Sequence, residues 1–584
     1  MAGKPSVSSK RAVIVLCIAA IVAYGLVLRF LHLFSADHHY YIISADSYFF
    51  DWQAHRILAG ASVRMAFHGG LTYPLAYLAK AIGLVFHMSP EGALKVAGLV
   101  LPPMLAVLSI IVIYLAVSRI YDKRVGLFSA VVWAIFVWAV FAGDAGYLDR
   151  DGLSVLLIMI GALIFALSGD WHWTVHGLDL GCLTAALAIL AIEALLFIEW
   201  VWLGPLILLA IVLAALATEI LVLFYRRLFS DVQAEEDPVD LAFGLLKRSP
   251  GSLANALKTS NWRPVALITG LSVSVTVAGP GLGDLHSRAS EIVRDTLASK
   301  SQAAEMQGLS LGDFISYGPL VVPLLIGLYI SLKSSRRGDF LCLGWFVGLF
   351  LAGLFARRLF FYTLPASCII SGLGLAYLFQ FGALRLSVAD LGRSLYDPGS
   401  LLRYALAGAA VILLLLSIVF GTIQAYHIGS DHQISPDSEW QAALLYLKDN
   451  ASQSAVIMSW WDYGYWILDV TERLPVVDNG DHTEEQDHDI AVAYTTTEAS
   501  EVVRIMQKYG ADCVIFSQVE YAILPDITYD ALGQIYGDGQ SIPQEMRDSI
   551  YSRSLSGDFQ SSGDLQRIYP APGAEAEVVI LARG

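Results

Sequence analysis

Trp460-Trp461-Asp462-Tyr463-Gly464 stands in a polar tail, past the last long apolar run of the chain. The stretch sets two indole N–H donors beside a carboxylate and a phenol, a combination able to grip a small hydroxyl ligand. A strand-to-helix corner lined with buried aromatics uses the same residues, since aromatic pairs are common in cores. What lies upstream separates the two readings.

The chain has 584 residues, 56% hydrophobic and only 15% charged, with a mean hydropathy of +0.59. That composition is that of a multi-span membrane protein. The acids are unevenly spread. Residues 428–584 hold 8 Lys/Arg and 26 Asp/Glu, whereas 1–427 hold 29 and 26. A membrane domain over 1–427 followed by an acidic water-soluble domain over 428–584 is expected, the latter large enough for its own core. A surface of that sign argues against a nucleic-acid partner. Of five cysteines only Cys513 lies in the soluble part, so no disulfide forms within it and a cysteine-built metal site is not expected.

Apolar runs mark the spans. Arg11–Phe34 is the first, with basic flank Lys4, Lys10 and Arg11 and no small-residue cleavage site, so it is expected to stay as an anchor. Further runs cover 94–117, 126–143, 153–167, 178–225, 264–279, 314–332, 340–355, 359–379 and 405–426. The long run at 178–225 holds two or three helices, giving 11 spans, or 13 with two more short ones. Basic clusters at Arg226/Arg227, Lys333/Arg336/Arg337 and Arg385/Arg393/Arg403 fall on one side of that arrangement. The excess of positive charge in cytoplasmic loops puts that side, with the N-terminus, in the cytoplasm and the soluble domain outside the cell membrane.

This topology sorts the acids. Asp46 follows the first span, Asp149 and Asp151 sit between the third and fourth, and Glu305 precedes the run that begins at Phe314. All four are expected on the outer side with Trp460. Hard carboxylate oxygens suit Mg²⁺ or Mn²⁺, and an Asp-x-Asp pair lets two side chains of one loop reach one ion. Any one of them, taken singly, fits a solvated loop acid or a helix cap. The acidic stretch around His482 and His488 reads as an exposed loop. Asn450-Ala451-Ser452 matches a glycosylation sequon.

Over its whole length the chain resembles the catalytic subunit of oligosaccharyltransferase in its single-subunit prokaryotic form. The resemblance is carried by Asp46, by Asp149-Arg150-Asp151, by Ala303-Ala304-Glu305, by Arg358 in Arg358-Leu359-Phe360-Phe361-Tyr362, by Trp460–Gly464, and by Val476-Val477-Asp478-Asn479. Glu291 in Arg288-Ala289-Ser290-Glu291 competes with Glu305, which is preferred because Met306-Gln307 follows and a span starts soon after. The family's second sequon-contacting motif has no assigned match; the corresponding stretch lies near 524–529.

The resemblance implies a polytopic α-helical membrane domain of the GT-C glycosyltransferase fold followed by a mixed α/β extracytoplasmic domain. It implies glycan transfer en bloc, with inversion, from a lipid-linked phosphate or pyrophosphate donor to the asparagine of Asn-x-Ser/Thr in an acceptor polypeptide. The implied roles are Asp46 and Glu305 as catalytic carboxylates and Asp46, Asp149, Asp151 and Glu305 as ligands of Mn²⁺ or Mg²⁺. Arg358 is implied to meet the lipid phosphate, and Trp460, Trp461 and Asp462 the sequon hydroxyl. The enzyme is expected to act as a single subunit among membrane lipids. A different GT-C transferase using a polyprenyl-phosphate sugar is the main rival reading. A lipid or glycan transporter is the other, and it would hold ionisable residues inside spans rather than at their outer ends.

Overall fold

The computed structural model describes residues 7–34, 44–61, 69–168, 203–229, 311–383 (except 335, 355 and 356), 398–431, 436–480, 483–533, 544–559, 561–571 and 575–584, with short pieces between 174 and 192. The expected span at 264–279 lies outside these residues, as do Glu291 and Glu305. Two compact units emerge: one of 1–36, 102–145 and 150–430, the other of 37–101, 146–149 and 431–584.

The first unit is helical. Four helices of the described chain are long and apolar enough to cross a membrane: Arg11–Phe30, Pro90–Ile120, Leu359–Gln380 and Ala405–His427. Shorter apolar helices cover Ile207–Leu221, Gly318–Lys333 and Gly338–Gly353. Helix Pro90–Ile120 carries Pro102 and Pro103, and the division between the units falls just before them. The run at 126–143 is not one helix. Lys123–Ile135, capped by Asp122, ends where Phe136 turns extended, and Val137–Phe141 begins anew. A break in a helix frees carbonyls that apolar surroundings cannot satisfy. Arg29, fully buried on the first span, answers one of them, its Nη1 donating to Ala134 O at 3.3 Å, while its Nη2 donates to Ala139 O in the next helix at 2.8 Å.

The second unit is built around a six-stranded mixed sheet in the order Leu474–Pro475, Val456–Met458, Cys513–Ser517, Val578–Arg583, Leu565–Tyr569, Ser561–Ser562. Val456–Met458 runs parallel to both of its neighbours and the remaining pairs are antiparallel. Helix Ala499–Tyr509 ends on Gly510 at φ 66°, a left-handed cap that glycine adopts without strain, and leads directly into the central strand. The stretch read as an exposed acidic loop is instead a helix, Glu484–Thr495. Thr483 and Gln486 close a reciprocal capping box at its start, and Glu484, Glu485 and Asp487 lie in its first turn, where the helix dipole favours acids. The same unit contains an apolar helix the span reading passed over, Gly69–Phe86.

Candidate active site

Strand Val456–Met458 delivers the chain to Trp460, and Trp461–Tyr463 then makes a single 3-10 turn. The turn is fixed from several sides. Trp460 N donates to Tyr494 Oη at 3.1 Å, while Trp460 O accepts from Tyr463 N at 3.2 Å and from Ser459 Oγ at 3.0 Å. The Trp460 ring is buried, 1% exposed, and packs edge-on against Tyr494. Tyr463 and Trp466 are buried as well, their rings 4.4 and 5.3 Å from that of Trp440. Trp461 and Asp462 alone of the five-residue motif's large side chains stay half-buried. Gly464 lets the turn sit on the next segment, because a Cβ there would lie 2.4 Å from Val477 O and 2.5 Å from Asp478 Cα. Burial pushes the Tyr463 and Tyr494 hydroxyls well above the ordinary phenol range, so both remain protonated.

Helix Ala45–Leu58 brings Asp46 into the same unit. Ser44 caps it by accepting from Ser47 N, and Asp46 stands in its first turn. Asn479 Nδ2 donates to Asp46 Oδ1 at 3.2 Å across 433 residues of sequence. The Phe49 ring lies 4.7 Å from that of Tyr465, so the helix packs on the segment just past the tryptophan motif. Asp478 Oδ1 accepts from Gly480 N at 2.9 Å and turns the chain at Asn479. Asp149 also belongs to this unit, its Oδ2 accepting from Tyr147 Oη at 3.1 Å.

Asp151 and Arg358 belong to the other unit. Asp151, in the first turn of helix Arg150–Ser168, accepts from Tyr362 Oη at 2.9 Å. Arg358 sits in Arg357–Phe361, the opening turn of the long apolar stretch that continues as Leu364–Ala383. Its neighbour Arg357 donates from Nε to the buried Asp313 at 2.6 Å and lies over the Trp138 ring at 5.7 Å. Sequence reading missed Tyr362, Tyr147, Asn479 and Arg357 as partners. Asn479, Tyr362 and Tyr147 had a signal, standing in the stretches around Asp478, Arg358 and Asp149 already singled out.

Among the described residues no group of three or more His, Cys, Asp or Glu side chains is placed to hold a metal ion. The donor chemistry of the expected set still suits a hard divalent cation. Asp46, Asp149 and Asp151 each have one carboxylate oxygen oriented by a neutral donor: Asn479, Tyr147 or Tyr362. Such hydrogen bonds aim a ligating carboxylate without neutralising it.

The AglB core domain family matches residues 447–520, which include the tryptophan motif and Asn479. Dolichyl-phosphooligosaccharide-protein glycotransferase 2 of Pyrococcus horikoshii is 29% identical over 153 residues, 26% of this chain and 18% of that protein. The match thus spans less than a fifth of that curated relative. The archaeal oligosaccharyltransferase AglB of Archaeoglobus fulgidus, solved with an inhibitory peptide and a dolichol-phosphate, superposes with a TM-score of 0.72. It covers 98% of this chain and 89% of that one at 15% identity. The same organism's oligosaccharyltransferase in complex with Zn and sulfate superposes at 0.62, over 95% and 78% of the two chains at 16% identity. At such identity the superpositions speak for the fold, a GT-C membrane domain joined to a mixed-sheet domain. Residues 447–520 thus match the AglB core on a chain of that fold, and the resemblance to the oligosaccharyltransferase family that begins at Trp460-Trp461-Asp462-Tyr463-Gly464 is borne out.

Proposed function

We propose that this protein is an oligosaccharyltransferase. It moves a glycan en bloc from a lipid-linked phosphate or pyrophosphate to the side-chain nitrogen of Asn-x-Ser/Thr in a polypeptide, inverting the anomeric carbon. The observation that carries this reading is the Trp461–Asp462 turn, held in one compact unit with Asp46 and its partner Asn479. A peptide subsite and a carboxylate suited to asparagine activation thereby share one scaffold. The archaeal relative's capture of a peptide and a dolichol-phosphate supports the two classes of substrate.

The chemistry follows from the residues. An amide nitrogen is a weak nucleophile because its lone pair is delocalised into the carbonyl. Asp46 and Glu305, accepting hydrogen bonds from the acceptor's side-chain NH₂, weaken that conjugation and take up the proton as the N–C bond forms. The anomeric C–O bond breaks and the lipid phosphate leaves with the electron pair. Asp46, Asp149, Asp151 and Glu305 would hold Mn²⁺ or Mg²⁺, and such an ion supplies positive charge for the leaving phosphate. Arg358, charged at every accessible pH, adds a second partner for that phosphate. Trp461 and Asp462 receive the hydroxyl two residues past the asparagine, with the buried Trp460 as their backing. A site built to bond a hydroxyl rejects acceptors lacking one, because its own polar groups are then left unpaired. The acidic soluble domain lies outside the cell membrane in this reading, and the chain works as a single subunit.

Asp462→Ala is expected to raise the KM for an Asn-x-Thr peptide about 10- to 150-fold, the worth of one hydrogen bond to a charged group. Affinity for the lipid donor should hardly change. Initial rates against peptide concentration, with donor binding measured in parallel, check this. An unchanged peptide KM would remove the turn from acceptor binding.

A further inference from the structure

Beneath the tryptophan turn lies an acid that no step above uses. Glu520 follows the central strand, in the 3-10 turn Gln518–Ala522, and is 0% exposed. Its Oε1 lies 3.1 Å from Tyr494 Oη, the hydroxyl that receives Trp460 N. The same Tyr494 oxygen is 3.0 Å from the carbonyl oxygen of Ile515.

A phenol has one proton to give. With an ionised Glu520, Tyr494 would face two acceptors, the carboxylate and the Ile515 carbonyl, and could serve one. With a neutral Glu520 the contacts of Tyr494 are matched: the carboxyl O–H donates to Tyr494, Trp460 N–H donates to Tyr494, and Tyr494 O–H donates to Ile515 O. The other carboxyl oxygen, Oε2, is buried with no hydrogen-bond partner among the described residues. An ionised oxygen in that position would be costly, a neutral one much less so.

We propose that Glu520 is a positioning residue for acceptor binding: in neutral form its carboxyl donates to Tyr494 and so holds Trp460 and the turn bearing Trp461 and Asp462. The titratable groups that face it are phenols, Tyr494 on helix Glu484–Thr495, Tyr463 in the tryptophan turn and Tyr551 on helix Ile550–Leu555. Burial, its largest influence, pushes the Glu520 carboxyl up to about 8, outweighing the hydrogen bonds that its own backbone, Tyr494 and the Ser517 backbone and hydroxyl offer to the ionised form. Ionisation above that pH breaks the matched set and loosens the turn.

The role in acceptor binding rests on the function proposed above; the buried neutral acid does not, and the test separates them. The full-length protein, Glu520→Gln and Glu520→Ala would be compared between about pH 6 and about pH 9.5. Glutamine keeps a donor for Tyr494 but cannot ionise. For the unmodified protein the peptide KM should rise about tenfold across the upper half of that range, one hydrogen bond's worth. Glu520→Gln should match its KM at the acid end and stay flat, while Glu520→Ala should be raised throughout.

Thermal unfolding gives the readout independent of transfer. A carboxyl whose folded pKa is raised contributes stability that is lost as pH rises from its ordinary 4.5 through about 8. Glu520→Gln should therefore gain in Tm relative to the parent across that window. A glutamine variant that shows the parent's alkaline rise in KM, or that equals alanine at the acid end, overturns the proposal. So does a Tm difference that does not change with pH. Absence of transfer by the parent at every pH, with the Tm difference present, would instead sink the transferase reading.

Discussion

Glycopeptide formation should fall at least about 100-fold in EDTA and return when Mn²⁺ or Mg²⁺ is added in excess. Loss of a ligand charge at a leaving phosphate removes several kcal/mol from the transition state, and each 1.4 kcal/mol is tenfold in rate. The expectation comes from the ligand chemistry: Asp46, Asp149 and Asp151 each keep a carboxylate aimed by a neutral donor. Asp149→Ala should cost more than Asp151→Ala. Asp151 is expected to act partly by orienting the ion's other ligands rather than by binding the ion itself. Rates in metal-stripped buffer, with each ion added back, decide it; full activity in chelator would end the metal proposal.

Glu305→Gln should abolish transfer, by about 100-fold or more, whereas Glu291→Gln should retain most of it. Glutamine keeps the size of the side chain but loses both the charge and the ability to accept the acceptor's proton. The choice of Glu305 rests on the Met306-Gln307 that follows it and on the apolar helix that starts soon after, at Gly318–Lys333. Single-turnover rates of the two variants test it. A reversed ranking would move the functional acid to the earlier part of the loop.

Much of this architecture was legible because apolar runs and charge balance are local properties of sequence. The first span, Pro90–Ile120 and Ala405–His427 could be read within a few residues. Gly69–Phe86 escaped because Pro74 and Lys80 interrupt its apolar run. The interruption at Phe136 escaped because nothing in Val-Trp-Ala-Ile-Phe-Val-Trp forbids a continuous helix; the break is stabilised by Arg29, more than a hundred residues away. The tryptophan motif announced itself, but not the division of labour inside it. Which tryptophan backs the turn depends on Tyr494, and the burial of Tyr463 on Trp440, both brought in by other elements. The Asn479–Asp46 bond and the Glu520–Tyr494 contact likewise depend on tertiary packing, for which sequence spacing carries no signal.

Asparagine in a peptide is the proposed acceptor. The purified full-length protein would be incubated with lipid-linked oligosaccharide, a divalent cation and a fluorescent Asn-x-Thr peptide, and the product followed by mass spectrometry. The expected product is a peptide heavier by one intact glycan, attached at the asparagine nitrogen, with none from the matching Gln-x-Thr peptide. Sugar transferred only to a lipid, or to the peptide irrespective of its asparagine, would contradict it and favour a different glycosyltransferase of the same fold.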